Sequence, residues 1–164
     1  MHLGIVSDTH DDTDNAAEAA DIFQREGVDA IVHCGDVVAP FTAVEFDVGI
    51  EFHAVRGNND GEWALADAVN DFGTYHGELA ELAFDGREIA VSHGTREATV
   101  DALVGCGNYD YVFHGHTHEY AHEEHDGTVR INPGGLPFEE APDPPRAVVL
   151  DVPSGDVDSY ELGV

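Results

Sequence analysis

The chain has 164 residues, 42% of them hydrophobic, a size and composition that fit one domain spanning 1–164. It carries 6 basic residues against 34 acidic ones, a formal net charge of −28, and no lysine. That balance excludes a nucleic-acid binder driven by phosphate contacts, and no run approaches the ~18–20 apolar residues of a membrane helix.

His2 to Asp8, Ala30 to Asp36 and Phe52 to Asn58 each read as a short buried strand ending in a polar tip. Asp14 to Glu26 places Ala16, Ala20 and Phe23 on one helical face and stops at Gly27, so the first two strands and this helix form a βαβ unit. A less regular stretch from Pro40 to Asp47 and a helix from Glu62 to Asn70 fill the later connections, giving a parallel sheet covered by helices. From Tyr75 onward hairpins take over, turning at Asp85-Gly86, Asp126-Gly127 and Ser154-Gly155. A helix near Glu97 to Val104 precedes a further strand, Asp110 to Gly115. The second half therefore adds antiparallel strands, and an α/β sandwich of mixed sheets around a single core satisfies both halves. Pro142 to Pro145 reads as a stiff surface loop.

Five strands run into polar tips: SDTH (Ser7 to His10), GD (Gly35, Asp36), GNND (Gly57 to Asp60), SHG (Ser92 to Gly94) and GHTH (Gly115 to His118). In open α/β sheets ligands bind at the carboxyl ends of strands, so these tips can share one crevice. Carboxylate, amide and imidazole donors together suit Mn²⁺, Fe, Ni²⁺, Co²⁺ or Zn²⁺ better than Mg²⁺ or Ca²⁺. Two such ions about 3.5–4 Å apart would acidify a bridging water and clamp the oxygens of an in-line displacement. Cys34 and Cys106 sit in no CxxC pair and read as small buried hydrophobes.

The series DTH, GD, GNND, SHG and GHTH resembles the signature of calcineurin-like metallophosphoesterases across almost the whole chain, and NPGG (Asn132 to Gly135) resembles the small archaeal and bacterial phosphodiesterases among them. The resemblance implies a four-layer αββα sandwich and a metal-dependent hydrolase of a small phosphate ester, diesters favoured over monoesters. It implies two divalent ions, manganese foremost. Asp8, His10, Asp36 and His118 would hold the first, and Asp36, Asn58, His93 and His116 the second. Asn58 would also contact a phosphate oxygen. Three features depart from the family pattern: Asn59 stands where many members carry a proton-donating histidine, Ala39 replaces an acid in GDVVA, and Gly135 replaces a serine.

Other residues admit two readings. Asp60 either orients a catalytic group or caps the following helix, and Arg96 either contacts phosphate or pairs with a surface acid. Arg56 reads as an internal ion pair ahead of a substrate contact. His114, His122 and His125 read as exposed ahead of a place behind the metal ligands, while His2, His33, His53 and His76 read as packed or surface residues. A binding scaffold is the alternative class, since a retromer subunit shares this general fold. A homodimer through exposed sheet edges is also compatible with the sequence.

Self-repulsion at a net charge of −28 opposes folding at low ionic strength but is largely screened in molar salt, where the Debye length is about 3 Å. The absence of a signal-peptide pattern adds the expectation of a salt-rich cytoplasm, that of a halophile. Dialysis from molar KCl into ~10 mM buffer is expected to unfold the chain. A far-UV circular dichroism spectrum unchanged by that step contradicts the expectation.

Overall fold

The computed structural model describes residues 1–135 and 143–163. Its first sheet begins with β1 (His2–Val6), β2 (Ala30–His33), β3 (Glu51–Ala54) and β4 (Thr74–Tyr75), all parallel, and is extended beside β1 by β10 (Arg146–Asp151) and β11 (Val157–Glu161), each antiparallel to its neighbour. The second sheet comprises β5 (Ala80–Phe84), β6 (Arg87–Val91), β7 (Tyr111–Phe113), β9 (Thr128–Pro133) and β8 (Tyr120–His125), in that spatial order. Four helices, α1 (Thr13–Glu26), α2 (Pro40–Ala43), α3 (Trp63–Asn70) and α4 (Glu97–Gly105), complete the described elements together with a 3-10 turn over Val44–Phe46.

The two-residue side-chain period of the strands separates three apolar layers. On β1, Leu3 and Ile5 face the second sheet, as do Ala30 and Val32 of β2 and Val148 and Leu150 of β10. They meet Leu82, Ile89, Val91, Phe113 and Ile131. The opposite residues, Val6, Ile31, Ala147 and Val149, face Phe23, Phe46 and Leu65 of the helical side. Gly4 has no Cβ because the ring of Phe23 lies directly on its backbone. On the outer face of the second sheet Ala90 and Val112 pack on Val100 of α4. The layer order is thus helices, sheet, sheet, helix, the expected αββα sandwich, with its apolar interior in three layers and not in one core.

Local chemistry accounts for the boundaries. Asp12 caps α1, accepting from Asn15 N at 3.1 Å, and Gly27 ends it in the left-handed region at φ 65°. Asp85-Gly86 and Asp126-Gly127 close their hairpins with positive φ at both residues, as type I′ turns require. The second sheet is mixed, as expected, with β6, β7 and β9 running parallel. Three expectations are corrected. Pro40 to Phe46 is helical, with proline in the first turn. The turn holding Ser154-Gly155 spans Val152 to Asp156, longer than a two-residue hairpin. Cys34 is buried as expected, whereas Cys106 is exposed at the end of α4. Of the loop read at Pro142 to Pro145, Pro142 lies outside the described residues. No helix among the described residues is long and apolar enough to cross a membrane.

Candidate metal centre

The predicted strand tips leave their sheets early. β1 ends at Val6, β2 at His33 and β3 at Ala54, two to four residues before Asp8, Asp36 and Asn58. For β1 and β2 the reason is backbone conformation. Asp8 (φ 54°), His10 (φ 40°), Asp36 (φ 58°), His116 (φ 71°) and His118 (φ 57°) lie in the left-handed region, outside the range that sheet pairing allows. Asp11 and the β-branched Val38 join them, so outside the two hairpin turns every non-glycine residue with positive φ among those described is a predicted ligand or lies within two residues of one in sequence. Such conformations are costly and persist where the surroundings over-determine them. Here the tails brace one another: Asp8 N donates to Gly35 O at 2.9 Å and His10 N to Asp36 O at 3.0 Å.

Asp8 is fully buried, and its Oδ2 accepts from Ser7 Oγ and from His116 N. Its Oδ1 has no well-aligned hydrogen bond among the described residues, yet it is ringed by His118 Nε2 at 3.3 Å, His10 Nε2 at 3.7 Å and His93 Nε2 at 3.9 Å. Asp36, also buried, presents Oδ2 to His93 Nε2 at 3.2 Å and His10 Nε2 at 3.5 Å. His93 Nδ1 lies 2.9 Å from Cys34 O; a carbonyl only accepts, so Nδ1 carries a proton and Nε2 is aimed at the carboxylates. Asn58 Oδ1 converges on the same Nε2 at 3.0 Å. The His116 ring stands 5.2 Å from that of His93, and the His118 ring 5.5 Å from that of His10.

Burial alone would raise the Asp8 pKa, but the nearby His10 and His118 rings outweigh it and hold the carboxyl below the usual range. For Asp36 burial is likewise outweighed, by contacts from His93 and Asn59. The reciprocal effect raises His118 through Asp8, and raises His93 through Asp36 against the opposing effect of burial. A field that favours imidazolium at this spot favours any cation there. Asp8, His10 and His118 form one group of donors close enough to share an ion, and Asp8, Asp36 and His93 form another. The imidazole-ringed Asp8 Oδ1 and the mixed oxygen and nitrogen donors fit divalent transition-metal ions. All seven predicted ligands therefore border one crevice, with Asn58 and His116 on the His93 side.

A model of the calcineurin-like phosphoesterase superfamily domain matches residues 1–155. The chain belongs to that family. It is 36% identical over 138 residues to a phosphodiesterase of Methanocaldococcus jannaschii, covering 82% of this chain and 83% of the relative. A solved structure of an archaeal phosphodiesterase superposes with a TM-score of 0.91 at 32% identity, covering 99% of this chain and 100% of that one. Vps29 of Entamoeba histolytica shares the fold, with a TM-score of 0.69 at 17% identity over 98% of this chain and 99% of that one.

Several residues around this phosphoesterase crevice differ from their sequence readings. Asp60 does not cap α3. It is buried, and its carboxylate accepts from Gly57 N at 2.7 Å, Asp36 N at 3.0 Å and Val38 N at 2.7 Å, tying two ligand loops together from behind. Asn59 grips both oxygens of Asp36, through its backbone N and its Nδ2, each at 2.8 Å. Arg56 is not an internal pair: it lies at the surface, 3.7 Å from Glu78. His114 is not exposed. Burial lowers its pKa to about 4, and as a neutral ring it accepts from Arg130 Nε at 2.7 Å behind the GHTH loop. His122 and His125 are exposed as read.

Four supporting residues escaped the motif reading. Ser7 donates to Asp8, and Asp11 accepts from Ala39 N and Thr42 Oγ1. Asn132 donates to Gly115 O and Thr117 Oγ1, and buried His33 accepts from Gly35 N. Only the motif positions of Ser7 and Asn132, in SDTH and NPGG, offered a signal.

Asp60→Asn keeps the volume but turns an amide N–H toward a backbone N–H. It is expected to lose about 2–3 kcal/mol of stability, as for a broken hydrogen bond to a charged group, and to weaken Mn²⁺ binding. Urea unfolding and calorimetric titration in molar KCl read both effects; unchanged values show that Asp60 does not hold the loops.

Proposed function

We propose that this chain is a binuclear metal-dependent phosphoesterase that hydrolyses phosphodiesters. The observation that carries the reading is the pair of donor groups that meet on buried carboxylates in one crevice, in a chain of the calcineurin-like phosphoesterase superfamily. The M. jannaschii phosphodiesterase relative supports diesters ahead of monoesters.

Asp8, His10, Asp36 and His118 hold one ion in this reading, and Asp36, Asn58, His93 and His116 the other, with manganese first among Mn²⁺, Ni²⁺, Fe, Co²⁺ and Zn²⁺. Divalent ions at such a site lower the pKa of water and neutralise charge on phosphate oxygens. The chain's own contribution is placement. Asn58 is exposed at the mouth of the crevice, where its amide N–H₂ reaches a non-bridging phosphate oxygen and stabilises the charge that grows in the transition state. His93 is locked by the Cys34 carbonyl, so its Nε2 cannot rotate away. Asn59 has its amide on Asp36, and with no titratable proton it holds the carboxylate and leaves the departing oxygen without an acid. In the net reaction water adds to phosphorus, one ester P–O bond breaks, and the alcohol leaves with a proton. Good leaving groups are the preferred substrates.

A binding scaffold would have no need of the full donor set, and nothing in the crevice favours that reading. The setting is a salt-rich cytoplasm, in which acidic surface charge is screened.

Purified protein in molar KCl should hydrolyse an aryl phosphodiester faster than the matching monoester, only with an added divalent ion such as Mn²⁺. Asp36→Asn should lower the rate at least ~100-fold, since it weakens both ion sites. Turnover that is indifferent to chelator or to this substitution contradicts the reading.

A further inference from the structure

An open groove of about 500 Å³ is lined at one part by Asn58 and His93, two of the proposed metal donors, and at another by Arg96, Thr99 and Leu103 at the start and along the side of α4. Its charge is anomalous. Arg56 and Arg96 line it against one carboxylate, Glu78, a local balance of 2 − 1 = +1 on a chain whose net charge is −28. Two of the chain's 6 basic residues are therefore spent on this one surface.

Neither guanidinium is held in a buried ion pair. Arg56 Nε donates to Asp60 O at 3.3 Å, which steadies the stem, while Nη1 stands 3.7 Å from Glu78 with both side chains more than half exposed. An exposed pair of that kind holds little and yields to a better anion. Arg96 makes no ion pair among the described residues; it precedes α4, with the Thr99 hydroxyl one turn on along the groove wall. The rest of the wall includes Leu79, 41% exposed, and Leu103, an apolar ledge beside the cations.

We infer that this groove holds the organic arm of the substrate and that Arg56 and Arg96 recognise a second anionic group on that arm, so the preferred diesters carry a further phosphate beyond the scissile one. The inference rests on the phosphodiesterase reading and deepens it. Metal ions account for attraction of the scissile phosphate alone. The arginines line the groove together with Asn58 and His93, and the planar guanidinium matches phosphate in two parallel hydrogen bonds. On a surface this acidic a second anion is repelled everywhere except where cations are gathered.

The test uses two p-nitrophenyl alkyl phosphodiesters, identical except that the alkyl arm ends in a hydroxyl in one and in a non-hydrolysable phosphonate in the other. Release of p-nitrophenol by the Mn²⁺-loaded full chain is followed at the lowest KCl concentration that keeps it folded, because salt screens the contact. The wild type should favour the phosphonate in kcat/KM by roughly tenfold, mainly through KM. Arg56→Gln with Arg96→Gln should bring that ratio to about one, whatever the absolute rate, while Arg87→Gln, a distant arginine paired with Asp110, should keep it. Equal rates in the wild type, or a preference that survives the double substitution, overturn the inference and leave the phosphodiesterase reading standing. Hydrolysis of neither substrate by folded, metal-loaded protein overturns both.

Discussion

The arrangement depends on two carboxylates buried where water cannot solvate them. Asp8 and Asp36 remain ionised at the seam between the layers because His10, His93 and His118 stand around them and backbone N–H groups point at their oxygens. Uncompensated, a buried carboxylate would take up a proton and lose its use as a ligand. The left-handed backbone at five ligand positions and the three N–H bonds to Asp60 follow from the same requirement: donor atoms have to converge on a point that regular strands do not reach.

The layered architecture makes convergence feasible. Parallel β1, β2 and β3 deliver three tails at one end of the first sheet, and parallel β6 and β7 deliver two more from the second. The tails of β6 and β7 are joined to each other by Gly115 N, which donates to His93 O at 2.9 Å, and because the sheets pack face to face they cross the seam where His116 N donates to Asp8 beyond β1. Glycine is obligatory where tails touch. A Cβ on Gly57 would strike the Asp36 carboxylate, and one on Gly115 would strike Ser7 and Asp8. The crevice, which offers donors for metal cations, and the groove, which carries Arg56 and Arg96, share Asn58 and His93 on a chain that is acidic as a whole.

Much of this was legible in the sequence because it is written in local chemistry. Asp-Gly pairs announce their turns, alternating apolar residues announce the strands, and ligand types at five tips announce a metal centre. What was not legible depends on partners distant in the chain. Asp60 looks like a helix cap until Asp36 and Val38, more than twenty residues away, are seen to donate to it. His114 looks like one of several surface histidines until Arg130 is found against it, and Arg56 looks internal until β3 is seen to end before it. The parallel pairing of β7 with β9 was hidden for the same reason, since hairpin signals report only neighbours in sequence. Strand ends were overextended because periodicity continues through residues whose φ has already left the sheet.

The most direct test of the central claim is anomalous diffraction from crystals of the protein grown in KCl and soaked in Mn²⁺. The account predicts two manganese peaks in the crevice, one among Asp8, His10 and His118 and one beside His93, Asn58 and His116, with Asp36 touching both. A crevice without manganese at saturating concentration, its imidazoles still paired with Asp8 and Asp36, contradicts it.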